Sequence, residues 1–492
     1  MSAGGGHSHG SRVRSALPAL LLAVVLVVAA ACTPDGQAPP ARQSSSLPPG
    51  PVALRLSVFG SSTVLRAYQQ IAADYGDRHP AVRVAVHPFA DERDELRDVR
   101  ARTAGGDAPD LFLVDLDSLP AVLGRAWPGA QGGPRPLNQP VDELLGQRHL
   151  DFGDGYSRVG LEAFSANSRL QCMPVDLSPM VVYYNTDLIR VGRLARPDED
   201  PVTREEGWTL EDFARAARMA ARGGNRGVAV APDLGQVAPF VWSGGGDVVD
   251  DEQQPTTTEL SGDASTNALQ QLLQIVRNPR VAVTPEQLRR QSAVQRFRSG
   301  HLGMLLGFRA LIPQLRTARS LHFDVMPMPY LRQPATLGSV RALCLSRGSA
   351  NVEAAADLLA HLVSDRAARA LAATGSVMPS NLDAVNSAAF LQPGRQPQHA
   401  RVFDTAVRDI EFLPGGRRWR QARAVVDQAL DTLWTRPVID PLDQRLEAVD
   451  RRTAAILAPP PAPDEPSSPA QSSPAQSSPA QSSPAQSSSA GG

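Results

Sequence analysis

From Val52 onward the chain keeps changing its hydrophobic period, and that rhythm limits the folds open to it. "VALRLSVFG" alternates and stops at a glycine, the pattern of a first strand. "STVLRAYQQIAADYGDRHP" then sets Val64, Leu65, Tyr68, Ile71 and Tyr75 on one helical face, and His79-Pro80 ends it. "AVRVAVHPF" reads as a strand, "DERDELRDVRARTAGGDAP" as a charged helix with a glycine stop, and "DLFLVDLD" as a nearly all-apolar strand. Strands alternating with helices predict a parallel α/β sheet buried on both faces. In such sheets ligands meet the loops at the carboxyl ends of strands. Here those loops are Phe59-Gly60-Ser61-Ser62, Phe89-Ala90-Asp91 and Asp115-Leu116-Asp117.

A second series starts inside "RLQCMPVDLSPMVVYYNTDL". "MVVYYN" is a strand, and "WTLEDFARAARMAARGG" is a helix with Thr209 as N-cap and Asp212 at its third position. "GVAVAPD" is another strand, and in "PFVWSGGGDVVDDE" three glycines break an apolar segment. "AVQRFRSGHLGMLLGFRALIPQL" reads helix, turn, strand, helix, and "HFDVMPMPYL" adds a proline-punctuated strand. "RALCLSRGSANVEAAADLLAHLVSDRAARALAATGSVMPSN" reads strand, turn, long helix and loop, and two helical segments follow, around 400–411 and 419–435.

The two ends carry different information. Arg12 and Arg14 precede the uncharged run "ALPALLLAVVLVVAAAC", which has the layout of an export signal and is too short to span a bilayer as a mature helix. Cys32 follows three alanines, in the register of a bacterial lipobox, with Ala29 where Leu or Val is usual. Two readings stand: cleavage before an acylated Cys32, or ordinary cleavage near the same place. Residues 33–51 are rich in Pro, Ser and Gly and read as a flexible linker, and from Ala458 a repeating SSPAQ tract lacks side chains to build a core. The expected layout is a signal at 1–31, an anchored linker at 32–51, a folded span at 52–457 and a disordered tail at 458–492. Its 492 residues leave room for two or three domains. The 49 basic residues, all arginine, face 50 acidic ones, so no global field argues for nucleic acid.

The order of these elements, together with six strings, resembles the extracellular solute-binding proteins of ABC importers, in the family-1 group of sugar-binding lipoproteins. "APDLFLVDLDSLPAVL" resembles the family's Pro-Asp strand and helix, and "PVDLSPMVVYYNTDLI" its crossing segment. "GWTLEDFARAA", "FVWSGGGDVVDDE", "FRSGHLGMLLGFRALI" and "RGSANVEAAADLLAHLVSDRAARALAATGSVMPSN" are similar to further family motifs, in order. Thr186 stands where the family has Lys, and Phe308-Arg309 where it has Trp.

The resemblance implies a periplasmic-binding-protein-like (type II) fold: two lobes, each a mainly parallel sheet flanked by helices, joined by a multi-strand hinge. Lobe one would be 52–172 with about 344–392, and lobe two 173–343 with about 393–457. It places Cys172 and Cys344 on neighbouring hinge strands, and the implied pairing in an exported chain is a disulfide. The cleft it implies takes Phe59, Ser61, Ser62, Asp91, Asp115 and Asp117 from lobe one. Asp176, Tyr184, Trp242, Gly244, Gly245, Asp247, Phe308 and Arg309 come from the crossing and lobe two. Some have plainer readings: Asp115 as a helix cap, Asp247 as support for the glycine turn, Tyr183 and Tyr184 as core.

The expected function is that of a monomeric lipoprotein on the outer face of the cell membrane. It would capture a small polar solute, a sugar or oligosaccharide, for the membrane subunits of an ABC permease, with no catalytic residue, metal or cofactor. Arg309 raises the option of an acidic or phosphorylated guest. An exported carbohydrate-active hydrolase is the enzyme alternative, although no G-x-S-x-G elbow or H-E-x-x-H helix occurs within 52–457. A ligand sensor, or a metal-binding lipoprotein using Tyr183-Tyr184, would use the same scaffold.

Overall fold

The computed structural model describes residues 52–124, 135–194, 207–436 and 440–458. Cys32, the signal and linker expected at 1–51, and the tail expected beyond Ala458 lie outside the described residues. β1 (Val52–Phe59) buries Leu54, Leu56 and Val58. α1 (Ser62–Arg78) follows, capped by Ser61, and buries Val64, Tyr68, Ile71 and Tyr75 as its period requires. β2 (Val82–Phe89) runs parallel to β1, with Val52 opposite Val82 and Phe59 opposite Phe89. α2 (Glu92–Ala104) starts at Asp91 with Glu92, Asp94 and Glu95 in its first turn, where the helix dipole favours negative charge. β3 (Leu111–Asp115) lies on the other side of β1, also parallel.

The chain then crosses through β4 (Met173–Pro179) into β5 (Val181–Asn185), and every residue of both is buried. α3 (Leu210–Ala220) carries the expected capping box: Thr209 and Asp212 each bond the other's backbone N–H. β6 (Arg226–Ala229), α4 (Leu234–Ser243), α5 (Asp263–Val276), β7 (Leu302–Gly307) and β8 (Phe323–Met326) complete the second unit of structure. Its sheet has the order β8-β5-β7-β6. β7 is parallel to β6, and β5 runs against both β7 and β8, so three of four strands share a direction. One core contains Val182 and Tyr184, and a separate core contains Val181 and Tyr183. Alternation therefore buries both tyrosines, one on each face of β5.

β9 (Thr336–Ser346) returns the chain. It pairs antiparallel with β4 through Gly338 to Leu343, and with β3 through Arg341 to Leu345. The segment expected to be one long helix is two, α6 (Val352–Leu362) and α7 (Asp365–Ala372), because Ser364 caps the second. β10 (Ile410–Glu411) adds to β9, giving a seven-stranded first sheet whose main path is β10-β9-β3-β1-β2. α8 (Arg417–Thr435) and α9 (Leu442–Leu457) cross back to pack on the second sheet's core through Trp419, Val426, Leu446 and Val449. Met378, Val385 and Phe390, grouped by sequence with lobe one, share a core with Tyr183 and Phe323 of the second sheet. That exchange precedes residue 392 because the loop after α7 carries apolar side chains onto the uncovered sheet face. Among the described residues no helix is long and apolar enough to cross a membrane.

Candidate functional site

The carboxyl ends of β1 and β3 meet the two crossing strands in a dense polar cluster. Arg341 of β9 is paired with Asp176 of β4, and its Nε lies 3.9 Å from Asp115 at the end of β3. Its guanidinium also sits 5.9 Å from the Phe59 ring centroid. Burial works against charge on Arg341, yet Asp176 and Asp115 hold it above the ordinary arginine value. Asp176 is anchored a second time, accepting from Met378 N–H at 2.9 Å. Burial pushes the Asp115 carboxyl up to about 6, against the pull of Arg341 and with Asp117 and Asp176 adding to the rise.

Behind Asp115 stands Glu92. It accepts from Asp115 N–H at 2.8 Å and from Ser118 Oγ at 2.9 Å, so it ties the start of α2 to the turn after β3. Burial, then Asp115, raises it to about 7. Glu95, one turn on, accepts from Leu113 N–H at 3.1 Å and is pushed well up by burial. The Tyr68 hydroxyl, buried beside Arg341, is likewise raised.

The other expected site residues divide by position. Ser61 and Ser62 are exposed at the α1 start, with Ser61 accepting from Val64 N–H. Asp91 caps α2 through Asp94 N–H at 3.0 Å. Asp115 makes no side-chain cap bond, so the cap reading fails for it. In the second lobe α4 ends at Gly244, where an added Cβ would lie 2.7 Å from Ala268 Cβ. Gly245 adopts φ +79°, a conformation that favours glycine. These two turn the chain so that Asp247 is exposed, with its carbonyl accepting from Ser265 Oγ at 3.0 Å. Trp242 is half-buried and packs on the second core, as does Phe308.

Several placements differ from an open cleft surface, among them Phe59, 7% exposed, and Asp176, 6% exposed and turned onto Arg341. Tyr184 is 2% exposed within the second core, because helices cover that face of β5. Arg309 is 1% exposed. Its backbone N–H bonds Ser178 Oγ at 3.1 Å, its guanidinium lies 3.8 Å from the Phe390 ring centroid, and Nη2 donates to the Phe390 carbonyl. Burial lowers it to about 10. An arginine spent on an aromatic face and a carbonyl does not offer an anion site to solvent. Tyr183 is also committed, donating to the Phe308 carbonyl at 2.8 Å.

A cavity of about 1170 Å³ opens beside the polar cluster. The first sheet's domain supplies Leu116, Leu119, Leu123, Glu162 and Ser165 to Ser168. The loop after the glycine turn supplies Glu252 to Gln254, β10 supplies Glu411, and the connection after it supplies Phe412 and Leu413. Gly416 N–H bonds the Asp117 carbonyl at 2.8 Å, and a Cβ on Gly415 would sit 2.7 Å from that oxygen. Asp117 and the post-β10 segment therefore touch at the cavity edge, and burial, with the like charges of Glu252 and Asp247, raises the Glu411 carboxyl there.

Residues 70–395 match the family described as bacterial extracellular solute-binding protein, well over half of the chain. The chain belongs to this family. No curated protein matches it in sequence. In fold, this solute-binding protein is similar to an ABC substrate-binding protein of Listeria monocytogenes solved with cycloalternan. That pair has 18% identity and TM-score 0.66 over 82% of this chain and 98% of the other. The GacH receptor of Streptomyces glaucescens gives 16% identity and TM-score 0.63, with 82% and 98% coverage. The sugar-binding protein MalE of Xanthomonas citri gives 14% and 0.68, with 83% and 98%. The two-lobe fold expected from sequence is thus shared with these structures.

Sequence reasoning passed over Arg341, Glu92 and Glu411 in this solute-binding protein. Arg341 was readable as the one charge inside "SVRALCLS", a run otherwise fit for a buried strand. Glu411 offered no local signal, since only the pairing of β10 with β9 brings it to the cavity. The disulfide is present: Cys172 and Cys344 are joined, with Cα atoms 4.3 Å apart.

Proposed function

We propose that the protein is the extracytoplasmic receptor of an ABC importer, capturing a sugar or oligosaccharide between its lobes and presenting it to a membrane permease. The observation that carries this reading is the 1170 Å³ cavity, lined from both lobes and bordered by the β10 connection. Two separately cored lobes joined by β4, β9 and the segment after β10 can hinge, and closure over a guest removes water from both sides of it. Proteins of similar fold have been solved in complex with cycloalternan, acarbose and maltotetraose. Asp115 and Asp117, either side of the lining residue Leu116, would meet the guest from lobe one and Glu252 to Gln254 from lobe two, whereas Phe59, Ser61, Ser62, Trp242, Asp247 and the glycine turn do not line this cavity. Cys32 would carry the lipid that holds the monomer at the membrane.

A thermal-shift and calorimetric screen against linear and cyclic oligosaccharides tests the reading, because a ligand of the folded state raises the melting midpoint by mass action. A saturable shift with stoichiometric heat, and the saccharide recovered intact, is the expected result. Absence of any saccharide response, or cleavage of the sugar, would overturn it. Mass analysis of Cys32 from the membrane fraction tests the anchor separately.

A further inference from the structure

The cavity between the lobes has a sign. Among the described residues its lining contains three carboxylates, Glu162, Glu252 and Glu411, and no arginine or histidine. In a chain with 49 basic and 50 acidic residues, such segregation is a local property of the site. Glu411 is half-buried on a strand tied to β9, and the charged groups that act on it, Glu252 and Asp247, share its sign. The arginine expected to supply positive charge, Arg309, is buried against Phe390 instead.

We infer that this cleft selects a saccharide bearing protonated amines over neutral or acidic sugars of the same size. The inference rests on the sugar-capture reading and adds the substrate class. Closing two lobes over a neutral guest would strip water from like-charged carboxylates and leave them without a counter-ion. An anionic guest would add a further charge of the same sign. Ammonium groups neutralise the carboxylates and donate hydrogen bonds to them, while Leu116 and Phe412 offer apolar surface to the sugar rings.

The probes are chitotriose, its fully N-acetylated counterpart, maltotriose and spermidine, titrated calorimetrically into the full chain at slightly acidic pH. Chitotriose should bind at least about tenfold more tightly than either neutral trisaccharide. Its affinity should weaken as salt rises. Glu252→Gln, on an exposed loop where folding is not at risk, should cost a further several-fold, and Glu411→Gln should act in the same direction. Equal or tighter binding of maltotriose or the acetylated trimer would overturn charge selection and leave sugar capture standing. Spermidine binding without any saccharide would overturn the saccharide half together with the sugar-capture reading. No response to any probe would overturn both.

Discussion

Arg341, on the strand that returns the chain, holds Asp176, on the strand by which it left. The pair lies at the step where the β4–β9 ladder shifts register, between Arg341 and Ala342. One ion pair therefore ties the two hinge strands to each other, and through Asp115 to the end of β3.

Removing the cation should expose how much that tie matters. Arg341→Met leaves Asp176 and Asp115 buried without compensation, and losing one partner of a buried pair typically costs ~3–5 kcal/mol. The double variant Arg341→Met/Asp176→Asn should recover much of the loss, since the stranded charge is gone. Urea midpoints of the four proteins in the cycle decide it; additive losses would show that the pair is not coupled.

The Cys172–Cys344 link spans a sequence separation of 172. Restricting so long a loop in the unfolded chain should stabilise by ~3–5 kcal/mol, so reduction or Cys172→Ala/Cys344→Ala should lower the melting temperature. Thiol titration of the unreduced, denatured chain carrying Cys32→Ala should find no free thiol.

Glu92 titrates near 7 in the folded protein instead of its ordinary 4.5, so the folded state holds the proton more tightly. Its contribution to stability is complete below about pH 4.5 and is lost as pH rises through about 7, on the order of 2 kcal/mol after allowing for its partial exposure. Glu92→Gln should flatten the melting temperature across that interval relative to wild type. Parallel profiles would mean that burial does not tune this group.

β6 passes under α3 at Gly227, where a Cβ would lie 2.0 Å from the Ala217 carbonyl oxygen. Gly227→Ala must push the helix off the sheet, and overpacking of this kind costs ~1–3 kcal/mol or more. Thermal melts should show a clear drop. A neutral outcome would require the helix to move without loss of packing.

Much of the first lobe was legible because its signals are local. The period change from β1 to α1 uses residues within a few positions of one another, as does the Thr209–Asp212 box in the second lobe. The second lobe misled at Tyr184 and Arg309. Helices of the second core cover Tyr184, and the segment after Met378 returns so that Phe390 meets Arg309, contacts that no local pattern signals. α9 gives little local signal, since it packs through only a few apolar positions on a helix rich in charge.

Element type, the order of strands and helices and the membership of a solute-binding family followed from the chain alone, since each rests on short-range hydrophobic spacing and motif order. Which carboxylates share the cavity, which arginine pairs with Asp176 and which is sealed against Phe390 followed only from the fold. Those outcomes depend on strands and loops brought together from distant parts of the chain, and no local pattern encodes a meeting between Asp115 and Arg341 or between Glu252 and Glu411.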